Sequence, residues 1–310
     1  MVAKFLHNLL RAWPKVLLLG FILLLAWYPL SAILREDIDR TADYNFDNLP
    51  DGQSAAVEMM ALLIDREVNQ NLWTANLPAF FPSAYLDNMP NFQIGMMQAM
   101  AMIAKTLPKQ IRCFEQRDEQ SLENIATLLD YPADVWIFAG DNNLKIAPSS
   151  SRQYRKALKR LRRLSDDLKQ KKCLLYADQK SLTELLKVVS SGLSEVVDNL
   201  DEQIEKGKNS WFDTKVDDVF YLNVGKVYAY ALVLQKFGVD YEKVLESNSK
   251  QDWNLLLSNL RKAFEIAPKL VVNAKLNDAT KANHLVYLGY YVAKSKYILD
   301  GIKENIWRAD

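Results

Sequence analysis

The sequence predicts an all-α protein, with one N-terminal transmembrane helix followed by a helical domain that contains a long antiparallel helical hairpin. Three observations carry that expectation. Only 10 Gly and 10 Pro occur in 310 residues, too few for the turns that a sandwich or barrel needs every roughly 8–12 positions. Residues 16–34 read VLLLGFILLLAWYPLSAIL, without a charge. Through most of the remaining chain, apolar residues recur at steps of three and four, the spacing of one helix face.

The first element is the anchor. At a rise of about 1.5 Å per residue, residues 16–34 span the roughly 30 Å hydrocarbon layer of a bilayer. Trp13 stands at one end and Trp27 with Tyr28 near the other, where amphipathic rings favour the interface. Lys4, Arg11 and Lys15 precede the span, and Arg35 and Arg40 follow it. That mild bias predicts a cytoplasmic tail over 1–15 and a domain on the opposite side of the membrane. A cleaved signal peptide would have a shorter apolar region and a small residue where Leu30 stands before Ser31-Ala32, so the span is expected to stay attached. Residues 35–52, rich in Asn, Asp and Pro from Asp43 onward, read as a linker to a soluble domain over 53–310. Outside the cytoplasm Cys113 and Cys173 can form a disulfide; two buried free thiols are the alternative.

Within the domain, Val57, Ala61, Ile64, Val68 and Leu72 mark one helix. Met96, Met100, Ile103 and Leu107 mark a second, stopping near Pro108, and residues 121–129 a short third. The hairpin is expected over 148–206. Its first arm starts after Pro148-Ser149-Ser150 and carries Tyr154, Leu158, Leu161, Leu164 and Leu168. Its second arm carries Leu182, Leu186, Val189, Leu193, Val196 and Leu200, a heptad-like seam that calls for an antiparallel partner. Val216, Phe220, Val224, Val227, Ala231 and Leu234 belong to a helix apolar on most sides, expected at the centre. Leu256, Leu260 and Phe264 mark another, and Leu285, Leu288, Val292, Leu299, Ile302 and Ile306 the last.

Composition narrows the chemistry. A net charge of +1 offers no argument for nucleic acid as a partner. Two Cys and two His set a low ceiling on metal binding. Neither HExxH, CxxC, GxGxxG nor a phosphate-binding GxxxxGK[ST] occurs, so no cofactor is expected. Between Arg152 and Lys172 ten Lys or Arg stand against two Asp. Arg155, Lys159 and Arg162 from this arm are candidates to bind anionic lipid or an acidic partner; a solvated helix face is the bland reading. Asp87, Asn88 and Asn91 cluster around Pro90 just before a helix, where such residues cap backbone N–H groups. The functional alternative makes Asp87 an acid or base, together with Asp217, Asp218 and His284. Asp217-Asp218 and Asn283-His284 also read as helix openings.

The stretches FFPSAYLDNMPNFQIG (80–95), IAPSSSRQYRKAL (146–158), WFDTKVDDVFYLNVGKVYAYALVL (211–234), VDYEKVL (239–245) and Asn283-His284 resemble the bacterial family termed domain of unknown function 2333. The resemblance implies a membrane-anchored N-terminus followed by helices, in the inner membrane of a Gram-negative bacterium with the domain in the periplasm. It implies no activity.

The expected function is therefore that of a membrane-tethered envelope protein that binds another protein or scaffolds an assembly. One alternative is a periplasmic hydrolase or cell-wall-active enzyme using Asp87 with Asp217 or Asp218. Another is a small-ligand or lipid-binding protein with a pocket lined by Trp73, Phe80, Phe81 and Tyr85.

Overall fold

The computed structural model of the protein describes residues 13–23, 25, 38–46, 49–77, 88–136, 138–139, 145–207, 215–246, 249–274 and 282–308, without the side chains of 116–118, 138–139 and 145. Helix α1 is described over 13–23. Then come α2 (Ala55–Asp65), a π-helical turn (Arg66–Gln70), α3 (Asn88–Ala104), α4 (Leu107–Gln110), α5 (Gln116–Leu129), α6 (Ser150–Lys169), α7 (Gln179–Gly207), α8 (Val216–Asp240), α9 (Glu242–Glu246), α10 (Lys250–Phe264) and α11 (His284–Arg308). Two short ladders complete the described residues: β1 (Ile111–Cys113) with β4 (Cys173–Leu175), and β2 (Phe138–Ala139) with β3 (Lys145–Ile146), both antiparallel. The protein is mostly helical, as expected.

The centre is α8. Seventeen residues along it are buried, which leaves no solvated stripe and obliges the helix to be wrapped. Helix α3 packs along it most extensively, with α2, α7 and α10 around the remainder. Caps define several starts. Ser54 Oγ accepts from the Val57 N–H at 3.2 Å to open α2, and the Ser149 side chain accepts from the Arg152 N–H to open α6. Asp240, at the end of α8, reinforces the first cap by accepting from the Ala55 N–H at 2.8 Å and the Ser54 hydroxyl at 2.5 Å.

The expected hairpin over 148–206 is not what forms. Helix α6 lies on α2 and α5, whereas α7 lies on α11 and α8, and the two arms do not pack side by side. The chain between them supplies the reason. After α6 it turns at Lys171, whose φ is 58°, and enters β4, which is held on β1 with Cys113 opposite Cys173. A strand tied to a distant segment separates the arms. The seam of α7 is real, but α11 and α8 fill it.

Residues 38–46, read from composition as part of a linker, are packed onto the domain. Arg40 donates to the carbonyls of Phe264 (3.0 Å) and Ile266 (2.7 Å) at the end of α10. Tyr228 donates to Thr41 O at 2.6 Å, Lys236 donates to Tyr44 O at 2.5 Å, and Ala42 is buried. These long-range bonds order a segment that has no apolar periodicity of its own.

The anchor expected over 16–34 lies partly outside the described residues, at 24 and 26–34. Among the described residues no helix is long and apolar enough to cross a membrane. Over α1, Val16, Leu17, Leu18, Leu19, Phe21, Ile22 and Leu23 are each 51–60% exposed.

One joint between α7 and α11 is sensitive to acid. Burial alone would raise the Asp300 carboxyl, but Lys296, Lys303 and the Ser190 hydroxyl outweigh it and pull the pKa from 3.8 to about 2. A folded-state pKa below the unfolded value means stability present above pH 3.8 and lost as pH falls toward 2. Asp300→Asn is expected to flatten that limb of a stability–pH curve between pH 4 and 2. Unchanged acid dependence in the variant would exclude Asp300 as its source.

Candidate functional site

Two of the polar residues singled out in the sequence, Asn91 and Asp218, meet where α3 crosses α8. Asn91 Nδ2 donates to Asp218 Oδ1 at 2.6 Å, and the rings of Phe92 and Tyr228 meet at 5.4 Å between centroids. Two glycines make the crossing unusually close. A Cβ on Gly95 would stand 1.9 Å from the Leu222 carbonyl oxygen, and one on Gly225 would stand 2.1 Å from that of Phe92. Gly95 closes one of the stretches that carry the family resemblance, and Gly225 lies in another. The described parts of those stretches, from Asn88 and from Lys215 onward, are thus the two sides of one helix contact.

Beside this crossing lies a buried charged cluster that periodicity did not disclose. Arg66 and Glu67 sit in the π-helical turn at 5% and 1% exposure. Arg66 donates to Glu67 Oε1 (2.7 Å), to the Tyr228 hydroxyl (2.7 Å) and to the Tyr44 hydroxyl (3.0 Å), with Asp39 at 3.3 Å. Gln93 donates to Glu67 Oε2 at 2.9 Å and to Leu72 O at 3.0 Å, while its own oxygen accepts from the N–H and hydroxyl of Thr74. Burial alone would lower the Arg66 pKa; the charge of Glu67, with smaller contributions from Tyr228 and Tyr44, holds it above the ordinary guanidinium value. The cluster ties α2, α3, α8 and the 38–46 segment together. Its only sequence signal is an Arg-Glu pair immediately after a run of core residues.

The other candidates are dispersed. Asp87, Phe80, Phe81 and Tyr85 lie outside the described residues. Asn88 is the first residue of α3, and its buried Oδ1 has no hydrogen bond among the described residues. Asp217 stands in the first turn of α8. Trp73 is 2% exposed, donates to Ala133 O at 3.0 Å and meets Tyr154 edge-on, so it belongs to the core. His284 accepts from the Val272 N–H at 2.9 Å through Nδ1, and burial holds its pKa below the ordinary value. Beside it, Asn283 Oδ1 caps α11 by accepting from the Val286 N–H. The structure therefore brings Asn91 to Asp218 and gives His284 a structural partner of its own. Among the described residues no group of three or more His, Cys, Asp and Glu is placed to hold a metal ion.

Cys113 and Cys173 form a disulfide across the β1–β4 ladder. On α6, Arg155 donates to Asn69 Oδ1 (2.9 Å) and Val68 O (2.6 Å), closing the end of the π-helical turn. Lys159 and Arg162 face an open groove of about 690 Å³ between α5 and α6. A different surface, the outer side of α11, is aromatic, with Tyr287, Tyr290 and Tyr297 exposed.

Neither the curated proteins nor the solved structures yield a match. The family comparison does: residues 16–209, from the apolar N-terminal segment to the end of α7, match one bacterial family over more than half of the chain. The match takes in the resembling stretches 80–95 and 146–158, those from 211 onward lie beyond it, and the chain belongs to that family, described as "Uncharacterized protein conserved in bacteria (DUF2333)".

Proposed function

We propose that this chain is a membrane-tethered helical protein of the cell envelope that acts by binding another protein, with the outer face of α11 as its docking surface. The observation that carries the reading is that face. Val286, Tyr290, Ala293, Tyr297 and Gly301 follow at steps of four, three, four and four, which places them on one side of a helix. Leu285, Leu288, Val292, Leu299 and Ile302 bury the opposite side, against α7 and α10. Tyr287 and Tyr290 are 58% exposed, Tyr297 81% and Trp307 72%.

A second copy of the chain is the occupant the face fits. With about 150–250 Å² per aromatic side chain, these four, spread around the outer half of α11, offer on the order of 400–700 Å², below the roughly 800 Å² per partner of a standard interface. Two tethered copies also meet at raised effective concentration. The tether is supported by the exposed apolar side chains of α1 and the uncharged run over 16–34. A periplasmic domain in the inner membrane is supported by the Lys/Arg bias at the N-terminus and by the disulfide, which suits an oxidising compartment. Asn91, Asp218, Gln93 and Glu67 join helices to one another, which favours binding over catalysis.

The test is thiol cross-linking of Gly301→Cys in spheroplasts. Both natural cysteines are engaged in the disulfide, so the introduced thiol reports alone. A dimer band with membrane-permeant and impermeant bifunctional reagents alike is the expected result. A dimer with the permeant reagent only would place the domain in the cytoplasm. No dimer with either would overturn self-association through α11.

A further inference from the structure

We propose that the groove between α5 and α6 is a binding site for the phosphate headgroups of anionic phospholipid. The α6 wall contributes Lys156, Lys159, Arg160, Arg162 and Arg163, and among the described lining residues the single carboxylate is Asp166. Lys156, Lys159, Arg160 and Arg163 recur at steps of three, one and three, so one helix face concentrates the charge. The described α5 residues on the lining, Gln120, Ser121 and Asn124, are neutral and polar. Cationic donors facing neutral amides and a hydroxyl suit phosphate, whose oxygens accept several charge-assisted hydrogen bonds at once.

Part of this charge is already engaged. Arg162 pairs with Asp65 at 3.0 Å, Arg163 with Asp167 at 3.5 Å, and Arg160 reaches the Ser121 hydroxyl at 3.5 Å. Lys156 and Lys159, both exposed, form no ion pair among the described residues. They are the groups most open to an incoming anion.

The walls of the groove are covalently joined. Strand β1 leads into α5 and β4 follows α6, and the Cys113–Cys173 disulfide closes the ladder between them. Ser121, Arg160 and Arg163 also border a small space against the two cysteines, so the base of the groove abuts the cross-link. A site whose walls are held in place loses less conformational freedom on binding. The choice of a lipid over a free anion rests on the membrane tether proposed above; the phosphate chemistry does not.

The experiment titrates the full-length chain, in neutral detergent, with short-chain phosphatidylglycerol, short-chain phosphatidylcholine and inorganic phosphate, read by native mass spectrometry. Because lipid is supplied in solution, a failure of the tether would not mask binding. Phosphatidylglycerol adducts are expected at concentrations at least about tenfold below those for phosphatidylcholine, in line with the attraction of each basic residue for anionic headgroups. Lys156→Glu/Lys159→Glu, which alters two exposed side chains, is expected to abolish that preference with thermal unfolding unchanged. Equal binding of the two lipids, or a preference that survives the double substitution, would overturn the site. Adducts with inorganic phosphate but not with phosphatidylglycerol would overturn the lipid assignment.

Discussion

Gly95→Ala and Gly225→Ala are each expected to lower stability by on the order of 3 kcal/mol, the upper part of the range for overpacked cores. Helix propensity argues the other way, since alanine favours an exposed helix interior by roughly 1 kcal/mol. The geometry decides the sign. A Cβ at Gly95 falls 1.9 Å from Leu222 O and 2.9 Å from Lys226 N; one at Gly225 falls 2.1 Å from Phe92 O. All three are backbone atoms in regular helices, which cannot swing aside as a side-chain tip can. The helices must separate, and the bond bridging them, Asn91–Asp218, would lengthen with them. Gly301 is the control, because its Cβ would meet nothing within 4 Å; alanine there should be neutral or slightly stabilising. Urea unfolding followed by circular dichroism reads all three variants. Gly95→Ala and Gly225→Ala at wild-type stability would mean that the crossing is looser than described.

Breaking the Arg66–Glu67 pair is the second large effect. Either Glu67→Leu or Arg66→Met should cost about 3–5 kcal/mol, because each strands a buried charge. Arg66 would keep only Asp39 as an acidic partner, at 3.3 Å and partly exposed. Among the described residues Glu67 would keep Gln93 alone. The double variant Arg66→Met/Glu67→Leu should cost well under the sum of the two, since neither charge is then left behind. A thermodynamic cycle of the four proteins measures the difference. Additive single effects would show that the two side chains act independently and would remove the cluster's role as a joint.

Much of the helical layout was legible. Caps such as Ser149, the Met96–Ile103 stripe and the all-round apolar character of α8 each report a local rule, so the elements could be placed from sequence. The hairpin shows the limit. The α7 stripe of Leu182, Leu186, Val189, Leu193, Val196 and Leu200 states that a helix must cover it, but periodicity does not name the partner. Proximity in sequence suggested α6, and the β1–β4 ladder assigned α11 and α8 instead. The linker shows the converse. Residues 38–46 are held by Arg40, Tyr228 and Lys236, and bonds across about two hundred residues leave no local trace.

The candidate residues divide the same way. Asp218, Asn91, Asn283 and His284 were recognisable as unusual by type and position, and of these Asn91 lies within the residues that match the family. Whether they served chemistry or architecture depended on what each one touches. Helical class, the placing of the main helices, the cationic character of α6 and family membership follow from residues alone, because they rest on composition, short-range spacing and motif order. Packing alone reveals that two motif glycines let α3 and α8 cross at backbone contact, that Arg66 and Glu67 are buried together, and that five cations face α5 across a groove. Those are relations between segments far apart in the chain, and they exist only once the loop entropy separating them has been overcome by burial.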